Sequence, residues 1–151
     1  MRTLADTRIL LPNQVSASLS EPRFLTKIRV GKHSFVVDEP EDMGGANAGP
    51  QPQHMILSAL GSCAAITLRM YADHKAWPLT QIDVKLQFEG EAESENQLMP
   101  NIKMQLLVQG NLSPEQLERL TVIAQKCPVH KSLSPAFKIS TTLALALPEY
   151  P

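Results

Sequence analysis

The chain has 151 residues, with 14 basic and 15 acidic side chains and a formal net charge of −1. So even a balance gives no global field to attract nucleic acid or an anionic membrane. Its two cysteines are too few for the disulfide framework of a small secreted protein, and one domain spanning 1–151 is the simplest expectation at this length.

Asp6 and Arg8 interrupt the opening "MRTLADTRIL", where a signal peptide needs an unbroken apolar stretch. No apolar run is expected to approach the ~20 residues of a membrane span. The expectation is a soluble, cytoplasmic protein. Two cysteines that pair in that reducing compartment suit catalysis or sensing better than a permanent bridge.

The N-terminal stretch reads as extended. Phe24, Ile28 and Val30 mark one strand, and "HSFVVDE" a second beyond a turn at Gly31. The sixteen residues "DEPEDMGGANAGPQPQ" follow, rich in Gly, Pro, Asn and Asp. They form a loop long enough to suggest function.

From Gln53 to about Ala76 the spacing turns helical, with Ile56, Ala59, Leu60, Cys63, Ile66, Thr67 and Met70 recurring every three or four positions. Pro52 suits the start and Pro78 the exit. Charges come only at Arg69, Asp73 and Lys75. A helix apolar nearly all round predicts burial on several sides, as a central helix.

Strict alternation comes next. Ile82, Val84, Leu86 and Phe88 share one face, and Ile102, Met104, Leu106 and Val108 repeat the pattern after "GEAESENQ". These runs predict an antiparallel hairpin with one wet face. Ser113, Pro114 and Gln116 then open a second helix with a capping box. Its apolar stripe is Leu117, Leu120, Ile123, Ala124 and Cys127, and Pro128 is expected to end it. Ile139, Thr141, Leu143, Leu145 and Leu147 make a last strand. The order predicts an α+β fold, an antiparallel sheet packed against a long central helix and a second helix.

Cys63 and Cys127 thus lie on the buried stripes of two helices that pack on one sheet. Three readings stay open. Both are small hydrophobes filling a core; or they are a redox pair; or Cys127 and His130 of "CPVH" hold a metal with His54 or Cys63. No second close-spaced ligand pair of the structural-zinc kind is present. His33 and His74 read as surface histidines.

The Gly/Pro loop, the helix with Leu60, Gly61 and Cys63, its "TLRMYA" continuation and the later "IAQKCPVHKSL" together resemble the OsmC/Ohr family of thiol-dependent peroxidases. The resemblance runs from about residue 22 to the C-terminus. It implies an OsmC-like α+β fold and an intertwined homodimer with the cysteines at the subunit interface. It also implies a Cys63 that attacks an organic hydroperoxide, a Cys127 that resolves the resulting sulfenic acid as a disulfide, and an external dithiol as reductant, with no bound cofactor. Gln53, His54, Met55, Ile56 and Met70 are the expected substrate-side residues, the apolar ones favouring a greasy peroxide.

A free thiol with pKa ~8.5 is only a few per cent thiolate at neutral pH, and Cys63 lies beyond the first turn, where the helix dipole helps. A cation is therefore needed. The family takes an arginine from the N-terminal strands, matched here by Arg23, with Arg29 second. Relatives hold it with an acid nine or ten residues before the first cysteine, where this chain has Gln53 and His54. Helix geometry puts His54 on the far side from Cys63 and Gln53 nearer. The Gly44–Gly49 loop is expected to cover the thiols.

Overall fold

The computed structural model describes residues 13–19, 21, 23–92 and 99–147. The opening "MRTLADTRIL" and most of the "GEAESENQ" connection lie outside the described residues. The chain divides into two compact units, Met1–Met55 and Ile56–Pro151.

In the first unit β1 (Val15–Leu19), β2 (Thr26–Val30) and β3 (His33–Val37) form an antiparallel sheet in that order. The two-residue turn between β2 and β3 begins with Gly31 at φ 56, a conformation that glycine reaches without steric cost. The long loop then folds over a single 3-10 turn, Glu41–Met43. Its order comes from Asp38, 2% exposed, whose carboxylate accepts the backbone N–H groups of Glu39 (2.8 Å), Ala46 (3.1 Å) and Ala48 (3.1 Å). Removal from water raises the carboxyl pKa, but those three donors outweigh it and hold the group below the ordinary aspartate value.

The long helix α1 (Pro52–His74) starts in the first unit and continues through the second. After it come β4 (Leu79–Glu89), β5 (Asn101–Gly110), α2 (Pro114–Ala124), α3 (Pro128–Leu133) and β6 (Lys138–Leu145). β4 and β5 form the expected antiparallel hairpin, with Val84 opposite Leu106. The α+β class stands, but the strands form two separate three-stranded sheets, and β6 runs parallel to β5. Alternation reports which face a strand buries and is silent on its direction. Here two helices separate β5 from β6, the kind of crossover that a parallel neighbour requires.

The alternating residues meet α1 and α2 in one core. Leu60, Leu68, Ile102, Met104, Leu106, Val108 and Leu120 are all 0% exposed, each contributing about 1.5–3 kcal/mol of burial. Gly61 brings α1 close to the sheet, since a Cβ there would lie 2.7 Å from Cδ1 of Leu86. Arg69 donates to the carbonyl oxygens of Leu79 and Thr80, fastening the turn into β4. Ser113 and Gln116 complete the expected capping box.

Three expectations need correction. The second helix stops at Ala124, and Pro128 opens α3 instead of closing α2. Its fixed φ suits the first position of a helix, which leaves Cys127 as the N-cap. Nor is α1 wrapped on several sides within one chain. Leu60, Gly61, Ala64, Leu68 and Ala72 are buried on one stripe, while Ile66 and Met70 are 59% and 67% exposed. With 23 residues and a mean hydropathy of 1.4, α1 is also long and apolar enough to cross a membrane by length and composition, contrary to the sequence expectation. The core helix of an α+β domain meets the same criterion.

Candidate thiol site

Cys63 stands on α1, half-buried, and Cys127 is fully buried where the chain turns into α3. Both are free thiols within one apolar cluster. Cys63 lies close enough to Cys127 to act on its titration. Burial pushes the Cys127 thiol up from its ordinary pKa, the hydrogen bond and charge of Cys63 push it further up, and the backbone N–H groups of His130 and Val129 pull partly back. That pattern fits a Cys127 that keeps its proton beside Cys63. The His130 N–H lies 3.3 Å from the Cys127 sulfur.

His130 continues from this point with its Nε2 buried and, among the described residues, without a hydrogen-bond partner. Burial lowers its pKa, so the ring favours the neutral form. Among the described residues, no group of three or more His, Cys, Asp or Glu side chains is gathered that could hold a metal.

The remaining predicted residues separate by unit. Arg23 occupies the turn before β2 at φ 40, an uncommon conformation for a side chain with a Cβ. Its guanidinium carbon lies 5.2 Å from the centre of the Phe24 ring. Arg29 stands within β2, opposite Ser16 and Ser34. Gln53 and His54 are exposed in the first turn of α1. Met55 lines an apolar hollow of about 370 Å³ with Ala17, Thr26, Ile28, Phe35, Val37 and Pro52. Farther along α1, Ile56 is half-buried and Met70 exposed.

Sequence reasoning missed Asp38 as the pin of the Gly-rich loop. The available signal was an acidic residue at the junction between a strand and a loop full of unpaired N–H groups, the setting in which Asp folds local backbone around itself.

The chain belongs to the OsmC-like protein family, whose model matches residues 44–142, about two-thirds of the sequence. Solved structures share the fold. An OsmC-like protein from Mycoplasma pneumoniae is 17% identical, with a TM-score of 0.73 over 94% of this chain and 99% of that one. A putative organic hydroperoxide resistance protein from Vibrio cholerae, with captopril in one active site, is 17% identical, with a TM-score of 0.64 over 94% and 96%. The organic hydroperoxide resistance protein OsmC of Legionella pneumophila is 15% identical, with a TM-score of 0.63 over 89% and 96%. No curated protein is similar enough to match.

Proposed function

We propose that the protein reduces organic hydroperoxides through Cys63 and Cys127, in a cytoplasmic setting as one of two identical subunits. The observation that carries the reading is a pair of free thiols in one apolar cluster, one partly open to solvent and the other buried with its proton retained. The half-buried thiol suits first attack. The Cys63 thiolate takes the distal peroxide oxygen as the O–O bond breaks, and the departing alkoxide leaves as an alcohol after gaining a proton. Cys63 is left as a sulfenic acid. Cys127 attacks that sulfur, the S–S bond forms, and hydroxide leaves as water. An external dithiol reduces the bridge by exchange, and the cycle needs no cofactor. Arg23 supplies the positive charge that favours the thiolate, and Met55, Ile56 and Met70 favour an apolar alkyl group.

Family membership and the names of the Vibrio and Legionella neighbours support this reading. The exposed Ile66 and Met70 of α1 support the pairing of subunits, since large apolar side chains on a helix face gain by being covered. The test is turnover of cumene hydroperoxide with dihydrolipoamide. Cys63→Ser abolishes it if the assignment is right, and activity surviving that change excludes it. Ile66→Asp with Met70→Asp is expected to give monomers by light scattering.

The apolar hollow beside Met55 favours a second reading, an OsmC-like protein that binds an apolar small molecule while its cysteines only pack. That reading predicts unchanged ligand binding in Cys63→Ala/Cys127→Ala and no bridge after peroxide treatment.

A further inference from the structure

Among the described residues Arg23 meets no carboxylate. No ion pair and no side-chain hydrogen bond among them engages it. What it does meet is Gly44. A Cβ at Gly44 would lie 3.3 Å from Nη2, 3.4 Å from Cζ and 3.5 Å from Nη1 of Arg23, nearly equidistant from all three atoms. The guanidinium therefore rests face-on over Gly44, a position of the loop that has no side chain. Phe24 holds the same group by its ring face. Neither contact is a hydrogen bond, so among the described residues the N–H edges, the part that binds anions, stay unspent.

Gly44 is itself fixed in place. It takes φ 88 as the C-terminal cap of the 3-10 turn, and its N–H donates to the carbonyl of Glu41 at 2.9 Å. Next to it, the N–H of Gly45 donates to Pro40 at 2.9 Å. The whole loop is tied to the buried Asp38 through the Glu39, Ala46 and Ala48 amides. A rigid loop thus offers a flat seat where a carboxylate partner would otherwise be needed.

We infer that Gly44 is a positioning residue for Arg23. The Asp38-pinned loop seats the guanidinium by shape and leaves its donor edges free for an anion, which on the proposed function is the Cys63 thiolate. The inference rests on that function for the identity of the anion, but the seat itself does not. This assigns the Gly-rich loop a task distinct from covering the thiols.

The experiment compares Gly44→Ala with Gly31→Ala. Both glycines have positive φ, but a Cβ at Gly31 has nothing within 4 Å, so Gly31→Ala reports backbone strain alone. The first readout is the Arg23 Nε–Hε resonance by NMR in the full chain. It is expected to shift in Gly44→Ala and to stay put in Gly31→Ala; an unmoved resonance in Gly44→Ala overturns the seat. The second is the rate of Cys63 oxidation by cumene hydroperoxide, measured from pH 6 to pH 10 alone and with Arg23→Met. Gly44→Ala and Arg23→Met each slow it about tenfold near neutrality, with recovery at high pH, and the double variant is no slower than Arg23→Met. Equal further slowing by Gly44→Ala in the Arg23→Met background overturns the inference. If the parent does not oxidise at Cys63, the peroxidase reading fails, while the resonance still decides the seat.

Discussion

The segments Met1–Met55 and Ile56–Pro151 are held together by different means. The second carries a core of fully buried Leu, Ile, Met and Val side chains from α1, β5 and α2. In the first, only Val37 and Asp38 are buried among the described residues, and Phe35, Val15 and Leu19 are 40%, 63% and 64% exposed. A three-stranded sheet with so little buried surface is marginal alone, and the loop beyond it is ordered by hydrogen bonds to one carboxylate. The two thiols belong to the unit with the packed core, whereas Arg23 belongs to the unit whose loop geometry depends on polar contacts.

The contrast can be broken most directly by truncating each side. Leu106→Ala is expected to cost about 2–5 kcal/mol in urea unfolding, and Phe35→Ala only about 1 kcal/mol, because its ring is partly exposed already. Equal losses would mean that the Phe35 face is covered in solution. Asp38 sharpens the polar side of the comparison. Its folded pKa lies below the unfolded value of ~3.9, so its contribution is complete above that pH and lost as pH falls through the folded value. Amide exchange at Ala46 and Ala48 should accelerate over that acid range in the parent, and be fast and free of that transition in Asp38→Asn.

Smaller effects fall in the second unit. Ser113→Ala removes the capping box of α2 and is expected to cost about 1 kcal/mol by denaturant midpoint. His130 has a folded pKa lowered by burial, against ~6.5 when unfolded. The neutral ring is therefore favoured by folding, and stability falls as pH drops below the unfolded value. His130→Phe should flatten that decline below the unfolded value, leaving unfolding midpoints at higher pH little changed.

Much of this architecture was readable from residue order. The alternation of Ile82–Phe88 and Ile102–Val108 reports a face, and the register of β4 with β5 follows it. The Ser113–Gln116 cap is a local rule with local atoms. Strand direction at β6 and the division into two sheets depend on long-range pairing, which periodicity does not encode. Pro128 was ambiguous in kind, since proline both ends one helix and begins the next. The proximity of Cys63 and Cys127 could be framed from two buried stripes, whereas the Arg23–Gly44 contact could not. It joins a turn to a loop through shape alone, with no charge pattern to announce it.

Everything functional here turns on whether those two sulfurs react as a pair. Intact and peptide mass spectrometry after one equivalent of cumene hydroperoxide reads this without any assumption about reductant. A single Cys63–Cys127 bridge is expected, absent in Cys127→Ser, where Cys63 instead stops at sulfenic acid or proceeds to sulfinic acid. Two unmodified thiols after that treatment, or oxidation that begins at Cys127, would contradict it.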